Sequence, residues 1–355
     1  MDKRLIDLYR CKLNDLLDNL KGNHYSDTRL NVHQSCLLEL FNIVSNKIES
    51  KEIDVSLSSN INSIKEVFDF LLNNIIYLED STLNNIPYET IYCLDLALKE
   101  WSLNDDIEYI IVTTLRHNNY FFDGTLAFTD NIYNYVSLLF GVDFQYRLIQ
   151  ISIPKRDVND YMLNGVLYHE LGHFVDRKYR ITQRIIDTEY YMENREVQLN
   201  KYYHLAESFA DIFASQYSPY TIQYTLRFLA PDAKGSFTHP STKDRLELIQ
   251  NFINGIPNDT TKKLSLATSY VLSKDLKKRF STINYSDFYN LIPTIVNKED
   301  ELHGLFHSVW DIWMNHKDQF VNMDDSIIYR LLNNLIEKSI SNYVVQKEWE
   351  NHAST

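Results

Sequence analysis

A chain of 355 residues with 44% hydrophobic content can bury a substantial core, in two domains or in one domain with helical extensions. Only 8 Gly and 7 Pro argue for long helices and against glycine-rich phosphate loops or a turn-dense β-sandwich. A formal net charge of −13 disfavours a nucleic-acid surface, which needs clustered Lys and Arg.

Taken in chain order, residues 1–100 show helical periodicity, as in Leu5, Leu8, Leu13, Leu16, Leu17 and Leu20 and again across 64–78. They form an accessory region suited to docking a substrate or a regulatory partner. The first residues lack the apolar core of a secretory signal, and three scattered cysteines (Cys11, Cys36 and Cys93) suit reduced thiols, so cytoplasmic residence is the expectation. The best apolar runs, 68–78, 109–115 and 135–142, fall well short of the ~18–20 residues of a membrane span. Residues 108–115 read as the first strand. Residues 146–153 alternate apolar and polar types from Leu148 and read as a second, ended by Pro154. An edge strand there could pair with an extended substrate, and the sequence leaves open whether this strand is such an edge.

Asp157 or Asn159 can cap the helix that follows, whose apolar side is Met162, Leu163, Val166, Leu167, Leu171 and Phe174. That helix carries His169-Glu170-Leu171-Gly172-His173. The helical repeat of 3.6 residues puts His169 and His173 on one face about a turn apart, where two imidazoles can take adjacent corners of a tetrahedral zinc. Glu170 is positioned to act as general base towards a water without binding the metal itself.

Such a site needs a third protein ligand and an open fourth position. Residues 204–214 set Glu207 and Asp211 four apart on one helical face, opposite Leu205, Phe209, Ile212 and Phe213. Glu207 as ligand and Asp211 as hydrogen-bond acceptor for a ligand histidine would complete both layers of the site. Asp176, His204, Glu189, Glu193 and Glu196 are rival third ligands, although Asp176, near Arg177 and Arg180, also suits an ordinary surface role. The spacing from His173 to Glu207 leaves room for an inserted helix over 180–203, as a lid or as packing.

Downstream, His239-Pro240 precedes Arg245. The order H-E-x-x-H, E-x-x-A-D, H-P-x-x-x-x-R resembles the gluzincin metalloproteases, and more narrowly the family of the CAAX prenyl proteases, the bacterial membrane heat-shock protease and the mitochondrial stress protease. The resemblance covers about residues 146–250. It implies one Zn²⁺ per chain held by His169, His173 and Glu207, with Glu170 as general base, Asp211 in support, His239 on the transition state and Arg245 organising the site. Those relatives are mostly integral membrane proteins, whereas this chain has no apolar run of spanning length, so it is expected to be a soluble relative carrying the catalytic unit without the membrane apparatus.

The implied fold is α+β and predominantly helical. A zincin-like catalytic unit (a small sheet plus the helix carrying the paired histidines) lies within 101–255, between helical regions 1–100 and 256–355. The implied function is a zinc endopeptidase acting on a protein or peptide substrate. The alternative is a catalytically silent zinc-fold sensor or adaptor, against which the retained Glu170 counts. A second constellation, His303, His307 and Asp311, has ligand spacing, but it lacks a water-activating carboxylate and Gly304 weakens its helix.

Overall fold

The computed structural model describes residues 3–353, apart from 24, 26, 56, 83–85, 103–106 and 125–129. Among the described residues the chain is predominantly helical with one small three-stranded sheet, an α+β architecture, and it divides into two compact units.

The first unit comprises Met1–Ile91 and Leu98–Lys155. It contains α1 (Lys3–Leu20), α2 (Arg29–Glu49), α3 (Ser58–Asp80), the flanks of α4 (Tyr88–Ser102), β1 (Glu108–Thr114), β2 (Phe121–Phe122), α5 (Asp130–Phe140) and β3 (Tyr146–Ser152). The buried stripe of α1 is Ile6, Leu13, Leu17 and Leu20, whereas Leu5 and Leu8 are 51% and 65% exposed. Steps of seven, four and three residues keep that stripe on one helical face, and Leu5 and Leu8 fall off it. It packs with Leu37, Leu40 and Val44 of α2 and with Val67, Phe68 and Leu71 of α3; Ile110, Val112 and Leu148 of the sheet join the same core.

The strand order is β1-β3-β2, with β1 parallel to β3 and β2 antiparallel to it. β3 is therefore central rather than an edge. Along the side it shares with β2, the Tyr146 carbonyl lies 2.9 Å from His33 Nδ1, and the Leu148 N–H donates to Tyr133 Oη at 3.2 Å. The Gln150 carbonyl accepts from the Asp123 N–H at 2.9 Å. The alternation read in the sequence does not produce a half-exposed strand, because Gln150 and Ser152 are as buried as Ile149 and Ile151. Both faces of the strand are covered, as parallel pairing usually demands.

The second unit comprises Tyr92–Ala97 and Arg156–Thr355. Its helices are α6 (Tyr161–Asn164), α7 (Leu167–Tyr179), α8 (Ile181–Glu189), α9 (Arg195–Tyr217), α10 (Pro219–Leu229), α11 (Thr242–Ile253), α12 (Asp259–Leu272), α13 (Ser286–Tyr289), α14 (Glu299–Asp311) and α15 (Asp325–Ala353). This partition runs differently from the three regions read in the sequence. The sheet clusters with the N-terminal helices because its apolar residues share their core, and residues 256–355 cluster with the helices of the two acidic-histidine motifs.

The single helix expected before His169 is two. Asp160, rather than Asp157 or Asn159, caps α6 by accepting the Leu163 N–H at 3.1 Å, and α7 starts afresh at Leu167 after the turn at Gly165. Residues 273–298 are mostly irregular, and the Gln216 carbonyl and side chain hold them by accepting the N–H groups of Arg279 at 2.7 Å and Lys277 at 3.1 Å. Gly304 does not interrupt α14. A Cβ there would meet the Ser281 carbonyl oxygen at 1.8 Å, so glycine is what lets this strap lie against the helix. No helix of the described residues is long and apolar enough to cross a membrane.

Candidate metal centre

Helices α7 and α9 supply the central groups. At their crossing stands Gly172, where an added Cβ would lie 2.9 Å from Ala210 Cα and 3.0 Å from Phe213 Cβ. The small residues inside the two motifs, Gly172 of one and Ala210 of the other, are thus the contact that brings the helices together. On either side of it the polar side chains meet. His169 Nε2 lies 3.1 Å from His173 Nε2 and 3.5 Å from Glu207 Oε2, and His173 Nε2 lies 3.5 Å from Glu207 Oε1. Among the described residues, these three form the group of potential ligands whose donor atoms converge, all within 4.8 Å of one another.

These separations fit a metal. A tetrahedral zinc with bonds of about 2.0–2.1 Å requires ligand atoms about 3.3–3.4 Å apart. Two imidazole nitrogens and a carboxylate oxygen also match zinc's preference in donor type, and three protein ligands leave a fourth position open. Asp211, fully buried, brings Oδ1 to within 3.0 Å of His169 Nδ1 in a short but bent contact. That partner favours the tautomer in which His169 Nε2 faces the other donors. Arg245 grips Asp211 through two hydrogen bonds of 2.7 Å and reaches Glu207 Oε2 at 3.3 Å. Glu170 is buried at the turn between the histidines, and with Asp211 and Glu207 it helps hold the proton of Arg245 against the penalty of burial.

The electrostatics follow from this packing. Burial opposes the charge of Glu207, yet His169, His173 and Arg245 together keep its carboxyl well below the usual carboxylate range. Burial opposes the charge of Asp211 too, and Arg245 first and His169 next hold it down. For His169 burial works against protonation, but Asp211 and Glu207 outweigh it and raise the group to about 10. Burial, and then the charge of His169, push His173 down to about 4. At neutral pH the metal-free centre therefore carries one imidazolium, and an incoming metal must displace one proton. The logarithm of zinc affinity should rise by about one per pH unit across roughly pH 5.5–8, because protons compete with the metal. Competition against a chromophoric chelator over that range measures it, and an affinity that does not change with pH would contradict the assignment.

Gly172→Ala offers a purely steric test. Helix propensity favours Ala by about 1 kcal/mol, but overpacking of this kind typically costs about 1–3 kcal/mol. The variant should melt at a lower temperature and bind zinc more weakly, since separating α7 from α9 moves the histidines away from Glu207. A stabilised variant with unchanged zinc affinity would show that the crossing is not what sets the donor spacing.

The remaining sequence candidates have other places. His239 is exposed and stands at the rim, its Nε2 3.5 Å from Glu207 Oε1 and its Nδ1 2.8 Å from Thr238 Oγ1. Asp176 is buried instead of lying at the surface. It caps α8 by accepting the Thr182 N–H at 2.7 Å, and burial raises its pKa to about 6. Glu189 pairs with Lys263 at 2.7 Å, and Glu193 and Glu196 are exposed before and at the start of α9. His204 holds the loop before His239, with Nε2 2.8 Å from the Ser236 carbonyl. Asn200, one turn earlier, donates to the Phe237 carbonyl at 2.9 Å. The sequence reading missed Asn200, although its spacing of seven from Glu207 marks the same face of α9.

His303 is a core histidine. Its Nδ1 lies 2.7 Å from Tyr168 Oη, its ring packs against Tyr217, and burial lowers its pKa to about 3. His307 stacks on Tyr220, and Asp311 accepts from Tyr285 and Asn315, so this constellation gathers no metal group. Compared with models of protein families, with curated proteins and with solved structures, the chain matches none.

Proposed function

We propose that this chain is a zinc-dependent endopeptidase with a zincin-like catalytic unit. The observation that carries the reading is the convergence of His169, His173 and Glu207 at tetrahedral-edge spacing, with Glu170 buried beside them. Zinc bound by these three would supply Lewis acidity, polarising a peptide carbonyl and making a water acidic near neutral pH. Glu170 takes the proton of the attacking water and passes it to the leaving amine. His239 donates from Nε2 to the carbonyl oxygen as its negative charge develops. Asp211 orients His169 through Nδ1, and Arg245 fixes Asp211 by its two-point grip. The three cysteines, none of them in a disulfide, are compatible with a reducing compartment such as the cytoplasm.

The test is direct. The full chain, loaded with zinc, is incubated with a mixture of proteome-derived peptides, and new termini are read by mass spectrometry. Cleavage should cease on chelation and return with zinc. No cleavage, or cleavage indifferent to chelation, would contradict the proposal.

A further inference from the structure

The loop that delivers His239 is pinned over the metal-binding face of α9. Its carbonyls at Ser236 and Phe237 are held by His204 and Asn200, and its own hydroxyls turn inward, with the His239 N–H donating to Ser236 Oγ at 3.0 Å. The two carbonyls and the Ser236 hydroxyl of this stretch thereby already have partners. What it presents outward is the ring of Phe237, 45% exposed, with its centroid 6.1 Å from that of Tyr203, which is 38% exposed. Leu199, four residues before Tyr203 and 39% exposed, extends the same apolar strip along the helix.

Tyr203 lies four residues before Glu207 on the same face of α9, which corresponds to about 6 Å along the helix axis. Phe237 lies two residues before His239. An extended peptide advances about 3.3 Å per residue, so a substrate whose scissile bond sits at the donor cluster carries a side chain one or two positions away onto these rings.

We infer that Tyr203 and Phe237 form an apolar seat for a substrate side chain flanking the scissile bond, so that the chain selects peptides with a large apolar residue there. The inference rests on the endopeptidase reading and adds the substrate class. Two exposed aromatic rings gain most from removing an apolar side chain from water, and the adjoining Ser236 and Phe237 carbonyls, already bonded to His204 and Asn200, offer an amide side chain little in return.

The test uses the zinc-loaded full chain and the same peptide mixture. One position within two residues of the cut should be enriched in Phe, Leu, Met and Tyr. Phe237→Ser, a change confined to an exposed loop, and Tyr203→Ala should flatten that enrichment. Either should also raise KM for the best peptide roughly tenfold, with kcat nearly unchanged. Tyr203→Phe should retain the preference, and zinc content should match the parent in all three variants. Cleavage without apolar preference, or a preference that survives both truncations, overturns the seat while leaving the peptidase intact. Absence of chelator-sensitive cleavage overturns both.

Discussion

Under the proposed endopeptidase mechanism, Glu170→Gln should lower the rate of peptide cleavage on the order of 10²–10⁴-fold, the usual contribution of a positioned general base. The change keeps the shape of the side chain and removes its ability to accept a proton. Glu170 lies outside the converging donor group, so zinc content should remain at the parental value. Its removal as a charge also leaves Arg245 secured, because Asp211 and then Glu207 act on that guanidinium more strongly. Folding should therefore survive, as a thermal melt would report. Cleavage that persists would mean that another group moves the proton, and loss of zinc would mean that Glu170 belongs to the ligand set.

Glu207→Ala is expected to weaken zinc binding on the order of 10²–10³-fold, roughly one ligand's share of the free energy that small zinc sites gain. The side chain contributes the only carboxylate of the converging group, at 3.5 Å from each histidine nitrogen. Asp176→Asn provides the contrast. Asp176 sits on α7 but spends its oxygen on the start of α8, so this variant should lose stability and keep its zinc affinity. Chelator competition separates the two cases. An unchanged zinc affinity in Glu207→Ala would remove the third ligand from the account.

The donor set was legible because helical spacing is local. Four residues return a side chain to the same face, so His169 with His173, and Glu207 with Asp211, could be paired before any fold was known. The two longer strands, β1 and β3, were legible from their β-branched runs, whereas the two-residue β2 was not. The grouping of the sheet with the N-terminal helices was not, since Ile110, Val112 and Leu148 find their partners among residues some 30 to 140 positions away in sequence. Polarity misled twice for one reason. Gln150 and Asp176 read as exposed by type, yet a covered parallel strand and a helix start bury them. His204 offered itself as a ligand by its proximity to Glu207, but its ring turns to a loop carbonyl that no local pattern announces. The tight crossing at Gly172 was hidden in the two unspecified positions of the first motif, where small size, rather than chemistry, is the signal.

The most direct measurement is the zinc stoichiometry of the full chain, by elemental analysis of protein purified without chelators or a histidine tag. About one zinc per folded chain is the result this account predicts. A folded chain that carries no zinc and takes up none when it is supplied would contradict it.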